Sequence, residues 1–356
     1  MNQPERIAVA LSGGVDSSVA ALLLKRPGVD LVGVFMKNWT KSRVSPFCSE
    51  EADRKDALRV ATKLGIPFEV WNFETDYRQR VMEVFFKEYQ AGRTPNPDVL
   101  CNQEIKFGLF LKRALDKGFD AIATGHYARV RKSRDGAFHL LAGKDANKDQ
   151  SYFLVTLGQS ALSHARFPVG DLAKPEVRKL AAVAGLPTAK KPDSQGICFI
   201  GQVNVQEFLQ TRLDKSPGDI VDSQGKVVGR HNGLAFATIG QRHGLNIGGA
   251  GIPYYVAAKD LKTNRLIVGH GNQDPVLYAR SLIMTNATWT TKEPKHSVKC
   301  RVRIRYRQPL QSAVVERVSS RRWQVTFSQP QRAVTPGQYA ACYVGEELIG
   351  GGIIQK

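Results

Sequence analysis

The chain has 356 residues, of which 42% are hydrophobic, so its length and composition predict a globular protein of two or three domains. Its apolar runs are too short to span a membrane, and the N-terminus lacks the apolar core and cleavage site of a signal peptide, so we expect a cytoplasmic protein without a membrane partner. Lysine and arginine number 51 against 32 acidic residues, and the net charge of +19 favours a polyanionic partner, nucleic acid above all, although general solubility is an alternative.

The first 200 residues or so alternate β-branched runs with amphipathic segments. The strand-like runs are RIAVAL, LVGVFM, IPFEVWNF and FDAIATG, and helix-like segments such as EEADRKDALRVATKLG and DYRQRVMEVFFKEYQ lie between them. This order predicts an α/β domain with a doubly wound parallel sheet, which we assign to residues 1–208.

The alternation of strand-like and helix-like segments ends at about residue 210. Short strands punctuated by glycine follow, as in GDIVDSQGKVVGRHNG and IPYYVAAKDLKTNRLIVG. They predict two small β-rich, barrel-like domains, at residues 209–276 and 277–356, which meet in the turn-rich stretch LIVGHGNQDPVLYA.

A glycine-rich turn, ALSGGVDSS, follows the first predicted strand and opens the first predicted helix. Glycines allow the backbone to turn sharply and to bring amide donors at the positive end of a helix up to an anion. The GK[ST] ending of a Walker loop and the third glycine of GxGxxG are both missing, so kinase-like transfer and dinucleotide binding are not favoured. We interpret the segment as a phosphate loop, with an ordinary glycine turn as the alternative.

Two of the five cysteines lie in polar, turn-rich segments. Cys101 ends GRTPNPDVLCN, which its two prolines predict to be an ordered loop, and Cys198 lies in KKPDSQGICFIG, where neighbouring lysines favour a thiolate. We expect Cys48, Cys300 and Cys342 to be small buried hydrophobes. No CxxC pair and no zinc-like spacing occurs in the sequence, so neither a disulfide framework nor a metal cluster is expected.

The segment KCRVRIRYRQ alternates cations with apolar residues over Lys299–Gln308. Alternation predicts a strand with one cationic face and one face that packs. We interpret the cationic face as a platform for a polyanionic backbone, and protection of an exposed sheet edge is the alternative.

These segments together carry a family resemblance. SGGVDSS resembles the pyrophosphate loop of the N-type ATP pyrophosphatases, which transfer AMP to a substrate oxygen. With FMKNW, GRTPNPDVLCN, ATGHYAR, NKDQSYFL, DSQGICFIG and GGGII in this order, the whole chain resembles the tRNA-specific 2-thiouridylase (MnmA) family. The resemblance implies a sulfurtransferase that uses ATP to adenylate O2 of the wobble uridine, position 34, and forms 2-thiouridine, AMP and pyrophosphate.

The resemblance also implies roles for individual residues. Cys198 would carry a persulfide supplied by a sulfur-relay donor protein, and Cys101 would resolve it, which leaves a Cys101–Cys198 disulfide unless hydrosulfide is released first. Asp98 would be an acid or base, and its alternative role is to cap local amides. The implied ATP-site residues are Ala10, Leu11, Ser12, Gly13, Gly14, Val15, Asp16, Ser17, Met36 and Gly125. The implied tRNA contacts are Asn96, Pro97, Asp98, His126, Lys148, Asp149, Gln150, Arg305, Tyr306 and Gln338.

Magnesium is expected to accompany ATP, but its ligands stay open, because TKSRVSPFCSEE stands where relatives have an acidic stretch. A different pyrophosphatase, either an amide ligase or a 4-thiouridine synthase, is an alternative enzyme, although an amide ligase has no need of two such cysteines or a basic strand. A non-catalytic, nucleotide-gated RNA-binding protein is the alternative from another class.

Overall fold

A computed structural model describes residues 4–40, 50–193, 204–245, 247–248 and 251–355. Cys48 and Cys198 lie outside these ranges, and so does most of KKPDSQGICFIG.

The N-terminal part of the chain builds a parallel sheet covered by helices. Its strands are β1 (Glu5–Ala10), β2 (Val29–Lys37), β3 (Phe68–Asn72), β4 (Ala121–Ala123), β5 (Ala128–Lys132), β6 (Phe138–Ala142) and β7 (Ala165–Arg166). Five of them form one sheet in the order β3-β2-β1-β4-β7, and every neighbouring pair in it is parallel. The predicted doubly wound α/β domain is therefore confirmed.

The helices connect these strands. They are α1 (Val15–Leu24), α2 (Glu50–Leu64), α3 (Glu74–Tyr77), α4 (Glu83–Gln90), α5 (Pro97–Cys101), α6 (Leu111–Asp116), α7 (Gln159–Ser163), α8 (Lys174–Val183) and α9 (Val205–Gln210). Wider π-helical turns at Arg78–Met82 and Asn102–Phe110 join α3 to α4 and α5 to α6. A short 3₁₀ turn covers Ser151–Leu154.

Strand β1 shows why the sheet lies inside the domain. Ala8 and Ala10 pack into one hydrophobic cluster, whereas Ile7 and Val9 pack into another on the opposite face. Both faces are buried, as is usual for a parallel strand with helices on either side, and the apolar run RIAVAL reflects this.

The middle part of the chain is a small antiparallel-rich sheet. Its strands are β8 (Gly218–Val221), β9 (Val227–His231), β10 (Tyr254–Asp260) and β11 (Arg265–His270), in the order β10-β11-β8-β9. Its core contains Ile220, Val256, Leu266 and Val268, which are fully buried. The segment between β9 and β10 contains a 3₁₀ turn at Leu234–Phe236.

The C-terminal part is a closed barrel. A 3₁₀ turn at Pro275–Leu277 leads into β12 (Tyr278–Trp289), β13 (Ser297–Arg303), β14 (Gln311–Ser319), β15 (Arg322–Arg332), β16 (Tyr339–Val344) and β17 (Glu347–Ile354). These strands follow the order β12-β15-β14-β13-β16-β17, and pairing between β17 and β12 closes the barrel. The two predicted β-rich units after the α/β domain are both present.

The sequence did not predict the hairpin β5–β6, which leaves the α/β domain and extends the barrel sheet. Strand β6 pairs with β17 through Leu141 opposite Glu347 and Leu140 opposite Leu348. The barrel is thus joined to the α/β domain by backbone hydrogen bonds as well as by side-chain packing.

The prediction of one strand across Lys299–Gln308 is wrong after its first half. Strand β13 ends at Arg303, and the chain bends and turns from Ile304 to Arg307. Arg307 has a φ of 63°, a left-handed backbone angle that a strand cannot contain. Cys300 and Val302 do face the barrel core, with Cys342, as alternation predicts.

Within the described residues, no helix is both long enough and apolar enough to cross a lipid bilayer.

Candidate nucleotide and tRNA site

The phosphate loop joins the carboxyl end of β1 to the first turn of α1. Leu11, the residue after β1, remains hydrogen-bonded to the neighbouring strand β2, because its amide donates to the Val34 carbonyl at 2.9 Å. Gly13 has a φ of +75°, and a Cβ placed there would lie 2.3 Å from the Asp53 carbonyl oxygen on α2. Glycine is therefore required at this position, both for the backbone angle and for the close approach of α2.

Serine hydroxyls hold the phosphate loop against the start of α1 and leave the first amides of the helix free. The Ser17 hydroxyl donates to the Gly14 carbonyl at 3.1 Å and accepts from the Ser12 amide at 3.2 Å. Gly14 is the N-cap of α1 and supplies no side-chain cap, so the first amides of the helix remain available to an anion. Leu11 and Val15 have buried side chains, and any contact that they make with a phosphate must come from their backbone.

Gly125 and Met36 border the same edge of the sheet. A Cβ on Gly125 would lie 2.6 Å from the Ser17 nitrogen, so this glycine allows the segment after β4 to touch the start of α1. Met36 is buried near the end of β2, opposite Trp71 in the register of β3. The predicted ATP-site residues from three parts of the sequence thus meet at the carboxyl edge of β1, β2 and β4, where α/β sheets bind ligands.

Asp16, in the first turn of α1, is held by two groups that the sequence did not single out. The Lys174 ammonium donates to both of its carboxylate oxygens, at 2.7 and 2.9 Å, and the Tyr127 hydroxyl donates to Oδ1 at 2.8 Å. Burial, together with the charge of Asp16, raises the pKa of Tyr127 well above its usual value, so this hydroxyl remains a donor at any physiological pH.

Asp193 forms the other side of this cluster. It accepts from Lys174 at 2.8 Å, from Arg178 at 2.6 Å and from Lys148 at 2.7 Å. Burial raises the pKa of Asp193, but the hydrogen bonds and charges of Lys148 and Lys174 outweigh this effect and hold the pKa well below its ordinary value. Lys148, a predicted tRNA contact, is therefore tied to the phosphate loop through Asp193, Lys174 and Asp16.

The GRTPNPDVLCN segment is only partly a loop. Residues 93–96 are irregular, but α5 begins at Pro97, and the Asn96 side chain caps it by accepting from the Val99 amide at 3.2 Å. Our prediction of an irregular segment is wrong for Pro97–Cys101, because proline lacks only an amide that the first helical turn leaves unused anyway. Asparagine followed by proline is a typical helix start.

Short helix α5 presents the predicted catalytic residues. Asp98 is half-buried in its first turn, and Cys101 is its last residue. Cys101 is fully buried in the core cluster that also contains Val99 and Ile105, so its prediction as a residue of a polar loop is wrong. Cys198, its predicted partner, lies outside the described residues.

The barrel holds the start of this segment in place. Gln338 donates through Nε2 to the carbonyls of Thr94 at 2.9 Å and Pro95 at 3.1 Å, and its Oε1 accepts from Asn96 at 3.4 Å. The Thr94 amide donates to the Pro336 carbonyl at 2.9 Å. The side chain of Gln338, predicted to contact tRNA, thus has partners on the Asn96 segment.

His126 lies in an aromatic environment next to Gly125. Its Nδ1 is 2.7 Å from the Thr124 hydroxyl, and its ring contacts Phe107 and Phe167. Burial, with a smaller effect from the charge of Lys106, lowers the pKa of His126 well below its usual value. The imidazole is therefore neutral near pH 7 and cannot act as a cation towards RNA.

The side chains of Asp149 and Gln150 form hydrogen bonds with other groups of the protein. Asp149 accepts from the amides of Gly143 and Ser151, each at 3.0 Å, and from Arg303 at 3.1 Å. The side chains of Asp149 and Arg303 are only 3% and 13% exposed, so this is a buried ion pair between the α/β domain and the barrel. Gln150 accepts from the Tyr127 amide at 3.0 Å.

Arg305 and Tyr306 follow the end of β13. Arg305 donates to the carbonyls of Ile239 and Ala333 and to the Thr335 hydroxyl, at 2.6–3.1 Å, and burial lowers its pKa. Tyr306 packs on Phe153 with ring centroids 4.4 Å apart. The predicted cationic face is therefore reduced, because Arg303 and Arg305 are partly buried against protein partners. Lys299, Arg301 and Arg307 are exposed, and Arg301 also donates to the Gly345 carbonyl at 3.0 Å.

The described part of the chain contains no preformed site for the expected magnesium ion. No group of three His, Cys, Asp or Glu side chains is placed there to hold a metal ion.

Curated relatives match this chain from end to end. A protein named tRNA-specific 2-thiouridylase MnmA from Shouchella clausii is 52% identical over 99% of this chain and 96% of its own length. Proteins of the same name from Lysinibacillus sphaericus and Bacillus subtilis are 49% and 48% identical over 99% and 98% of this chain and 94% of their own lengths. The chain belongs to the tRNA-specific 2-thiouridylase family.

Three family models match the chain, one each over the α/β domain, the middle sheet and the C-terminal barrel. They are described as a tRNA methyl transferase HUP domain at residues 5–202, a tRNA methyl transferase PRC-barrel domain at 206–270 and an aminomethyltransferase beta-barrel domain at 279–354. Among solved structures, a 4-thiouridine synthetase in complex with RNA and ATP covers 58% of this chain and 50% of its own, at 18% identity and a TM-score of 0.35. A score this low does not establish a shared fold.

In this 2-thiouridylase family member, the sequence interpretation missed Tyr127, Lys174 and Asp193. One signal for Lys174 was present in the sequence. Its position at the start of an amphipathic segment, two residues before Glu176, places a cation at the positive end of a helix, which is unfavourable without a carboxylate partner. No comparable local pattern points to Tyr127.

Proposed function

We propose that this chain is a tRNA-uridine 2-sulfurtransferase that uses ATP to convert the wobble uridine of tRNA to 2-thiouridine. The proposal depends chiefly on one observation, the phosphate loop with its Asp16 cluster, in a chain that is 52% identical to a named 2-thiouridylase. We also propose domain boundaries near residues 208 and 276. The cytoplasmic location remains a prediction.

The first chemical step would activate the base. A carbonyl oxygen is a poor leaving group, and its attack on the α-phosphorus of ATP would form a bond to AMP and release pyrophosphate. The amides at the start of α1 would hold the leaving pyrophosphate, because they are donors at the positive end of a helix dipole. Magnesium, if bound with the nucleotide, would neutralise phosphate charge.

The second step would deliver sulfur. A persulfide on Cys198, loaded by a donor protein, would attack C2 with its terminal sulfur, and AMP would leave with the oxygen. The Cys101 thiolate would then attack the Cys198 sulfur, which breaks the sulfur–sulfur bond and leaves the terminal sulfur on C2. The products are 2-thiouridine and a Cys101–Cys198 disulfide, which an external dithiol must reduce before the next turnover. Release of hydrosulfide by Cys101 before the attack is the other possible order.

Asp98 is proposed as the acid or base of this reaction. Its place in the first turn of α5, three residues before Cys101, puts it on the same short element as the resolving thiol. Asn96 and Pro97, which start that helix, are proposed to meet the base, and His126, Lys148, Asp149, Gln150, Arg305, Tyr306 and Gln338 are proposed to line the tRNA path. For Asp149 and Arg305, whose side chains already have protein partners, support of that path is the better role.

The test is product analysis with defined substrates. The purified chain is incubated with unmodified tRNA, ATP labelled in the α-phosphate and a reduced sulfur source, and nucleosides are analysed by mass spectrometry. We expect AMP, pyrophosphate and 2-thiouridine, with pyrophosphate release dependent on tRNA.

Other products would point elsewhere. ADP and phosphate would contradict the pyrophosphatase assignment, and 4-thiouridine would indicate the other thiolation. A methylated nucleoside formed only with S-adenosylmethionine would favour the activity that the family-model descriptions name. Binding of ATP and tRNA without any turnover would support a nucleotide-gated RNA-binding protein.

A further inference from the structure

Lys174 occupies an unusual position for a lysine. It is the first residue of α8, where the helix dipole is positive, and its side chain is only 10% exposed. Burial and the dipole both disfavour a charged ammonium at this place. A cation that is retained against two unfavourable effects must have strong partners, and the structure supplies them.

Those partners are two carboxylates. Lys174 bonds to both oxygens of Asp16 at 2.7 and 2.9 Å and to Asp193 at 2.8 Å. Asp193 has further cations, Lys148 and Arg178, whereas Lys174 is the cation that contacts Asp16 in the described residues. The charge of Asp16 therefore depends on Lys174 for its compensation.

Asp16 lies in the segment that would receive a polyphosphate. It follows Gly14 and Val15 at the start of α1, one residue before Ser17, whose hydroxyl helps to shape the loop. An uncompensated carboxylate at this point would repel the phosphates that the helix amides attract. The fixed donor Tyr127 stabilises Asp16 but brings no charge to offset it.

We propose that Lys174 is a positioning residue of the nucleotide site, which neutralises Asp16 and so allows the phosphate loop to accept the polyphosphate of ATP. This inference rests on the proposed use of ATP. It assigns Lys174 a specific effect on ligands that fill the phosphate loop, and a smaller effect on a nucleotide without the β- and γ-phosphates.

Binding measurements on four proteins test this role. Calorimetry gives the dissociation constants of ATP, inorganic pyrophosphate and AMP for the parent chain, Lys174→Met, Lys174→Arg and Arg178→Met. We expect Lys174→Met to raise the dissociation constants of ATP and pyrophosphate by about tenfold or more, and that of AMP by about threefold or less. Lys174→Arg, which keeps the charge, should stay within about threefold of the parent.

Arg178→Met is the matched control. Arg178 bonds to Asp193, as Lys174 does, and otherwise to the carbonyls of Ala189 and Lys191, but not to Asp16. We expect it to bind ATP within about twofold of the parent. An equal loss of ATP binding in both variants would show a general effect of α8 packing and would overturn the proposal.

A double variant separates charge compensation from direct phosphate contact. If Lys174 acts by neutralising Asp16, its removal should matter little once Asp16 is uncharged. Asp16→Asn with Lys174→Met should then bind pyrophosphate within about threefold of Asp16→Asn alone. A full tenfold loss in the Asp16→Asn background would overturn this role for Lys174.

The outcomes also separate this inference from the proposed function. Parent-level ATP binding by Lys174→Met, in a chain that still makes 2-thiouridine, would overturn the inference alone. A parent chain that binds neither ATP nor pyrophosphate would overturn both. Thermal unfolding of each variant, with circular dichroism, confirms that the proteins compared are folded.

Discussion

Gln338, on the C-terminal barrel, holds Asn96, the residue that caps the helix of Cys101. Its Oε1 accepts from the Asn96 amide group at 3.4 Å, while its Nε2 donates to the two preceding carbonyls, those of Thr94 and Pro95. The loop around Gly337 is equally close, because a Cβ on that glycine would lie 2.8 Å from the Thr94 carbonyl oxygen. The barrel thus sets the position of α5 in addition to any role in tRNA binding.

The first prediction follows from this contact. Gln338→Glu should lower the rate of thiolation at saturating tRNA by about tenfold, because a carboxylate cannot donate to the two carbonyls and α5 would shift. Gln338→Ala should have a smaller effect. Single-turnover rates and tRNA dissociation constants are measured for both. If tRNA binding weakens while the saturated rate stays at the parent value, Gln338 acts as a tRNA contact only.

The second prediction concerns the buried pair of Asp149 and Arg303. Arg303→Met should destabilise the protein by about 3–5 kcal/mol, because Asp149 would remain buried with its charge uncompensated. Arg301→Met, two residues earlier on the same strand but exposed, is the matched control and should change the free energy of unfolding by less than about 0.5 kcal/mol. Urea denaturation measures both. Equal stability of the two variants would contradict the structural role of Arg303.

The third prediction concerns the exposed cations Lys299, Arg301 and Arg307, which form the remaining basic surface of this segment. Replacing Lys299 and Arg301 by glutamate should weaken tRNA binding and reduce its salt dependence by about 0.7 to 0.9 in log–log slope for each phosphate that is no longer neutralised. ATP binding should not change. Filter-binding titrations at several salt concentrations measure the slope, and an unchanged slope would exclude phosphate contacts at these two residues. Protection of a sheet edge, the alternative that the sequence offered, is wrong, because β13 pairs with both β14 and β16 inside the barrel.

The fourth prediction separates the two cysteines proposed for sulfur transfer. Cys198→Ser should carry no protein-bound persulfide, and Cys101→Ser should load sulfur but fail in multiple turnovers. Each variant is incubated with a radiolabelled sulfur donor, and label on protein and on tRNA is followed separately. Cys300→Ser, in the barrel, is the control and should remain active. Multiple turnovers by Cys101→Ser at the parent rate would exclude the two-cysteine mechanism.

The fifth prediction is a pH dependence from His126. Its folded pKa lies well below the ordinary value of about 6.5, which applies to the unfolded chain. Below pH 6.5 the unfolded state therefore binds a proton that the folded state does not, and stability falls by up to about 1.4 kcal/mol for each pH unit until the folded pKa is reached. This contribution should vanish in His126→Gln.

Urea midpoints of the parent and His126→Gln between pH 7.5 and 5.0 measure this difference. We expect the stability of the parent to fall relative to that of His126→Gln as the pH decreases. Parallel curves would mean that His126 titrates normally, and tRNA affinity that rises on its protonation would contradict a neutral contact.

The sequence alone determined the features that depend on neighbouring residues. The phosphate loop was predictable because a sharp turn between a strand and a helix requires glycine, as the close approach of Gly13 to α2 confirms. The parallel sheet was predictable from runs such as β1, which is buried on both faces. The start of α5 at Pro97 was also predictable from neighbouring residues, because Asn96 followed by proline is a typical helix start. We predicted a loop there instead, because we took the proline as a helix breaker.

Only the tertiary structure decided which partners the charged and polar side chains take. Arg303 and Lys299 look alike in KCRVRIRYRQ, yet Arg303 is buried against Asp149, 154 positions away, and Lys299 is exposed. Lys174 meets Asp16 across 158 positions, and β6 meets β17 at the far end of the chain. Local patterns fix backbone conformation and apolar faces, whereas the pairing of a charge depends on which distant segment the packed core brings within about 3 Å of it.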